Sequence, residues 1–347
     1  MHRRPGTGAG RLTLRRRDLI RLCGGAMVAV PVTARAEQPA GMRRVGVLLN
    51  LSENDLEAQR LVRAFREELV RLGWSDGRNL RIDYRWTGGD VDRARAFAKE
   101  LVELSPDIIV GYATPSVVAL RQQTTSIPIV FLLVTDPVGQ GIVASLAHPG
   151  GNITGFQDFE ISLGTKWMEA LKQIAPNIKR VTTIFNPRTA PYYPLYLRAI
   201  EEAASSFAVE LIAVEVHDDA EIEGAINDIG REPNGGLFVL PDTFNFIHRR
   251  TIIALADRYR VPAVYFFPFF AREGGLISYG PDEIDMAQRT AGYVDRILKG
   301  AKPGASKSAS PCAKLTRQSP IKSAANSSDR HSASFNLPSI VKHLKDM

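Results

Sequence analysis

The chain has 347 residues, 44% of them hydrophobic and 23% charged, which is enough for about two domain-sized cores. Its formal net charge of +7 does not mark a nucleic-acid binder. Residues 1–36 hold eight of the arginines against one acid, Asp18, and the rest of the chain balances 36 basic with 36 acidic residues.

Residues 1–36 read as an export signal. A basic stretch ends in Arg15-Arg16-Arg17-Asp18-Leu19-Ile20-Arg21, an apolar run extends from Leu22 to Thr33, and Ala34-Arg35-Ala36 offers the small residues a signal peptidase needs. The adjacent arginines fit the twin-arginine route, and an ordinary Sec leader is the alternative. Cleavage after Ala36 leaves Cys312 as the one cysteine, so no intramolecular disulfide is expected. The apolar run is too short to span a membrane.

From Arg44 onward, strand and helix patterns alternate. Val45–Leu49 is an apolar run that fits a buried strand. Residues 55–72 place Leu56, Leu61, Phe65, Leu69 and Leu72 at helical spacing, and Gly73 stops the helix. Strand 80–86, helix 90–104, strand 107–110, helix 115–124 and strand 127–134 follow. After the turn-rich Pro149-Gly150-Gly151-Asn152 the cycle restarts with helices at 161–174, 194–207, 219–229 and 245–259. Strands at 180–185, 209–216, 236–240 and 262–266 separate and follow them. Such alternation implies an α/β protein of parallel sheets with right-handed crossovers. Residues 43–150 form a first lobe, to which 282–300 return, and residues 151–281 form a second. The first crossing is expected at 149–152 and the next near 274–281. Residues 304–347, rich in Ser, Lys and Ala, read as an atypical, mostly disordered tail with a short helix at 338–346.

Ligands of open parallel sheets sit beyond the carboxyl ends of the strands. The residues just after the strands are Asn50, Ser52, Tyr112, Thr114, Ser116, Thr135 and Asp136 in the first lobe. In the second they are Asn186, Tyr192, Asp242, Thr243 and Tyr265 with Phe266 and Phe267. Hydroxyls, amides, aromatic faces and two carboxylates suit a small polar or zwitterionic molecule with an apolar body. Each has a plainer role open to it. Asn50, Asp136 and Asp242 also suit caps or turns, Ser116 backbone satisfaction, and Tyr112, Tyr192 and Tyr265 packing. The sequence has no GxSxG elbow, P-loop, HExxH or metal-type histidine spacing, so neither catalysis, cofactor nor metal is expected.

Several spaced motifs carry a resemblance. They are Ile127-Pro-Ile-Val-Phe131, Thr135-Asp-Pro-Val-Gly139, Leu146-Ala-His-Pro-Gly-Gly-Asn-Ile-Thr-Gly155 and Gly274-Gly-Leu-Ile-Ser-Tyr-Gly280. Phe185-Asn-Pro187, Leu197-Arg-Ala-Ile-Glu-Glu-Ala-Ala204 and Ile297-Leu-Lys-Gly-Ala-Lys-Pro303 add to them. Over about residues 43–303 the chain resembles the ABC-transporter substrate-binding family that includes tryptophan-type binding proteins. The resemblance implies a type I periplasmic-binding-protein fold, two Rossmann-like lobes closing on a ligand cleft. It also implies a small-molecule ligand such as an amino acid or aromatic compound, periplasmic location and ABC permease partners. A ligand-sensing subunit of a signalling system uses the same fold. The family continues after Lys-Pro with a crossover, a strand and a helix that residues 304–347 do not resemble. The second lobe is therefore expected to lack its last strand and helix, leaving a sheet edge exposed.

Overall fold

A computed structural model of the chain describes residues 41–158, 163–305, 308 and 313–317. The expected export signal and the helix at 338–346 lie outside the described residues. No helix among the described residues is long and apolar enough to cross a membrane.

The first sheet holds β1 (Arg43–Leu49), β2 (Leu80–Trp86), β3 (Ile108–Tyr112), β4 (Ile129–Val134) and β5 (Ile153–Gln157). All pair in parallel in the order β2-β1-β3-β4-β5. Three helices connect them: α1 (Leu56–Arg71), α2 (Val91–Glu103) and α3 (Ala113–Gln123). Asp55 and Asp90 cap α1 and α2 by accepting from the backbone N–H groups two and three residues ahead. Strand alternation divides the core: Ile129 and Phe131 face α2 and α3, while Val130 and Leu132 face the opposite side.

The second sheet holds β6 (Arg180–Phe185), β7 (Glu210–Glu215), β8 (Gly235–Val239), β9 (Ala263–Tyr265), β10 (Ile277–Pro281) and β11 (Ala313–Arg317), in the order β11-β10-β9-β8-β6-β7. Its helices are α4 (Leu163–Ile174), α5 (Tyr193–Ser206), α6 (Asp219–Arg231), α7 (Thr243–Ile247), α8 (Arg249–Arg258) and α9 (Pro268–Arg272). The last helix, α10 (Glu283–Leu298), packs on α1, β4 and β5 of the first lobe.

Two expectations need correction. The chain does not leave the first lobe at 149–152: Ile153–Gln157 pairs with β4, from Ile129↔Ile153 onward, and completes the first sheet. Nor is the outer edge of β10 bare. Within the segment read as a structureless tail, Ala313–Arg317 adds an antiparallel strand, with Ile277↔Arg317 and Pro281↔Ala313 in register. The second lobe therefore has a terminal strand that satisfies β10's outward backbone groups.

Candidate functional site

The carboxyl ends of both sheets converge on one narrow cleft. Leu51, Tyr112, Ala113, Leu133 and Asp158 line it from the first lobe, and Tyr192, Pro241, Asp242, Thr243, Phe246 and Phe267 from the second. The backbone is bent to build the first wall. Ala113 has φ +65° and Leu133 φ +58°, a left-handed conformation that costs a non-glycine residue about 1–3 kcal/mol. At Leu133 the pairing of β4 with β5 slips by one residue, and this bulge is what brings Leu133 to the cleft. Strained residues persist where surrounding structure over-determines them, and two of the seven non-glycine residues with positive φ among the described residues lie on this wall.

Two carboxylates border the cleft, both buried. Asp242 is fully engaged: Oδ1 accepts from the Phe244 N–H at 3.0 Å and the Thr189 hydroxyl at 2.5 Å, and Oδ2 from the Asn186 N–H at 2.8 Å. Burial still pushes its carboxyl up to about 6 against these three bonds. Asp158 follows β5 and accepts from the Thr135 hydroxyl at 2.9 Å, while Thr135 also meets the Tyr196 hydroxyl at 3.2 Å. Burial drives Asp158 up to about 7, with Thr135 pulling the other way. It also raises the Tyr112 hydroxyl's pKa.

Of the residues expected from sequence, Tyr112, Tyr192, Asp242 and Thr243 line the cleft. Tyr192 is oriented by its hydroxyl, which donates to the Pro241 carbonyl at 2.9 Å. Asn50 lies behind the wall and joins the lobes, donating from Nδ2 to Thr243 Oγ1 at 3.0 Å and accepting from Thr87 at 2.5 Å. Thr135 supports Asp158. Thr114 accepts from the Thr135 N–H at 3.4 Å behind the wall, and Ser116 is buried with Oγ unpartnered.

Other expected residues are placed elsewhere. Ser52 is exposed in the turn before α1. Asp136, at φ +40°, accepts from the Gly139 N–H at 2.9 Å and forms a turn. Asn186 spans its own loop, donating to the Val216 carbonyl and accepting from the Arg188 N–H. Tyr265 is buried and stacked on Phe270 at 4.9 Å, within the lobe core. Sequence reading missed Asp158 because no strand was read at 153–157, just after the expected crossing at 149–152. It missed Ala113 and Leu133 because no glycine marks their backbone. Phe267, read beside Tyr265, does line the cleft, and Phe246 stands three positions after Thr243, within reach of a small extension.

The cleft leaves about 20 Å³ for the centres of water-sized molecules, room for about one water. A metabolite-sized ligand needs a few hundred Å³, so the cleft in this conformation is closed to one.

Comparison with known proteins gives four matches of particular use. A family model described as ABC transporter substrate binding protein matches residues 44–311. A tyrosine-binding protein of Clostridioides difficile (strain R20291) is 25% identical over 242 residues, 70% of this chain and 69% of that protein. Among solved structures, a conserved domain protein from Vibrio cholerae superposes with a TM-score of 0.73 at 28% identity, covering 80% of this chain and 92% of that one. An ABC domain in complex with L-Trp from Streptococcus pneumoniae superposes with a TM-score of 0.71 at 23% identity, covering 77% and 88%.

Proposed function

We propose, from the premise that this chain belongs to the family of ABC transporter substrate-binding proteins, that it captures an aromatic amino acid or a close analogue outside the cytoplasmic membrane. It then presents that molecule to an ABC permease. Its fold is that of the type I periplasmic binding proteins, in which closure on ligand is the signal the membrane partner reads.

The observation that carries the ligand class is the composition of the cleft. Four aromatic side chains, Tyr112, Tyr192, Phe246 and Phe267, line the same cleft as a buried carboxylate, Asp158. Aromatic faces suit a flat apolar body, and a buried carboxylate with a single side-chain donor among the described residues suits an ammonium group. A ligand carboxylate has its own counterpart. The first turn of α3 opens at Ala113 on the cleft wall without a side-chain cap, and Ser116 Oγ lies unpartnered within that helix. The names of the tyrosine-binding and L-Trp-bound relatives point the same way. Export by the twin-arginine-type leader and a periplasmic location complete the reading.

Thermal-shift and calorimetric titration of the purified protein test it. L-tryptophan, L-tyrosine and L-phenylalanine should raise the melting temperature in proportion to occupancy. A response to sugars with none to amino acids would sink the assignment.

A further inference from the structure

Beside the cleft, and apart from the residues that line it, charged side chains of the two lobes pair across the gap. Asp55 divides its work between its oxygens. Oδ1 caps α1, accepting from the N–H groups of Glu57 and Ala58 at 2.9 and 3.1 Å, and Oδ2 meets Arg249 Nη1 at 2.7 Å. The Arg249 side chain is 3% exposed. Its own lobe also holds it, through Glu273 at 3.0 Å, the Phe246 carbonyl at 3.0 Å and the Phe246 ring 4.7 Å from the guanidinium carbon. Further into α1, Glu57 meets Arg272 at 2.8 Å, and the same Arg272 nitrogen reaches Glu283 at 3.0 Å.

From this arrangement we propose that Asp55 and Glu57 are positioning residues for ligand capture, a latch of two interlobe ion pairs that forms only when the lobes meet and sets how much of the chain is closed. The proposal rests on the reading of the protein as a lobe-closing binder. When the lobes part, Arg249 is not stranded, since it keeps Glu273 and the Phe246 carbonyl, whereas Arg272 leaves both Glu57 and Glu283, the latter on α10 of the first lobe, and returns to water. When they meet, Arg249 loses its water, and Asp55 offsets that desolvation. An interaction present in one state alone shifts the equilibrium toward that state, and apparent affinity scales with the competent fraction. Phe246 touches both the ligand cleft and Arg249, so the aromatic wall and the latch close together.

The division of labour in Asp55 makes the test clean. Asp55→Asn keeps an oxygen for the cap, since Asn and Asp cap equally well, and removes the charge facing Arg249. Glu57→Gln leaves the cap untouched and decides the matter if Asp55→Asn does not fold. Glu68→Gln, which removes an ion pair internal to α1, is the control. Small-angle scattering of the ligand-free proteins should give a larger radius of gyration for Asp55→Asn/Glu57→Gln than for wild type, with Glu68→Gln unchanged. With L-tryptophan and L-tyrosine as probes, the apparent Kd of the double variant should rise about tenfold. An unchanged radius in the double variant, or an equal change in Glu68→Gln, would overturn the latch. If neither amino acid binds wild type, the ligand assignment fails, while the scattering still decides the latch.

Discussion

Asp242 accepts three hydrogen bonds that hold the Asn186 loop, Thr189 and the start of α7 together. Among the described residues, Asp158 accepts from one side chain, Thr135. Removing the first should therefore damage the wall, and removing the second should damage recognition. Asp242→Ala strands three donors and is expected to lower stability by about 2–3 kcal/mol, read from denaturant unfolding. Asp158→Asn should instead erase most of the preference for L-tryptophan over its des-amino analogue indole-3-propionate, measured by calorimetry with both compounds. Acidity separates the two roles further. The Asp158 carboxyl titrates near 7 in the fold and near 3.8 as an unperturbed group, so the folded chain holds this proton more tightly than the unfolded one. That stabilising contribution is complete below about pH 4 and is lost as pH rises through about 7. Asp242 and Glu283, raised to about 6 and about 7 by burial, act in the same direction. The ligand-free melting temperature should thus fall between pH 5 and 8, with a shallower slope in Asp158→Asn. Affinity for an ammonium-bearing ligand should rise over the same range, because it needs the ionised carboxylate.

At the scale of elements, each lobe uses the same device, a glycine where two strands approach closely. A Cβ added to Gly155 in β5 would collide with the Phe131 backbone carbonyl, and one added to Gly280 in β10 with the Phe266 carbonyl. Backbone cannot give way as a flexible side chain can, so Gly155→Ala should cost about 3 kcal/mol and visibly lower the melting temperature. The pairing also shows how far the sequence could be read. Ile127-Pro-Ile-Val-Phe131 and Val261-Pro-Ala-Val-Tyr-Phe266 are related stretches leading into equivalent places, yet no residue-level repeat is evident without the sheets to align them. The βα rhythm was legible because apolar runs and helical spacing report burial directly. The placement of β5 was not, because Pro149-Gly-Gly-Asn152 signals a turn and a turn does not say which sheet the next strand joins. The antiparallel β11 was illegible for a related reason: Lys314, Thr316 and Arg317 lack an apolar period, and the strand is specified by the open edge of β10. Truncation after Gly304 would bare that edge and is expected to lower the melting temperature and promote aggregation, as followed by scanning calorimetry and light scattering.

For the whole molecule, the proposed function turns on how the two lobes meet. Thr243 accepts from Asn50 across the gap, and Gly89 of the first lobe sits against Ile247 and Thr243 of the second. The sequence could name Asn50 and Thr243 as polar groups after strands, but not as partners of each other, since 193 residues separate them. Gly89 offers a way to wedge the lobes apart chiefly through Ile247, which does not line the cleft, with only an ordinary contact to Thr243. Its φ of +86° favours glycine but is accessible to asparagine, and a Cβ there would meet the Ile247 side chain. Gly89→Asn should therefore leave each lobe folded while opposing closure, weakening ligand affinity several-fold with little change in the ligand-free melting temperature. Ile247 is itself 38% exposed, so Ile247→Ala removes the obstacle at small cost to the core. Combined with Gly89→Asn it should restore much of the lost affinity, a coupling that independent effects on the two lobes would not produce. Additive losses in the double variant, measured by calorimetric titration, would mean that this contact does not govern closure.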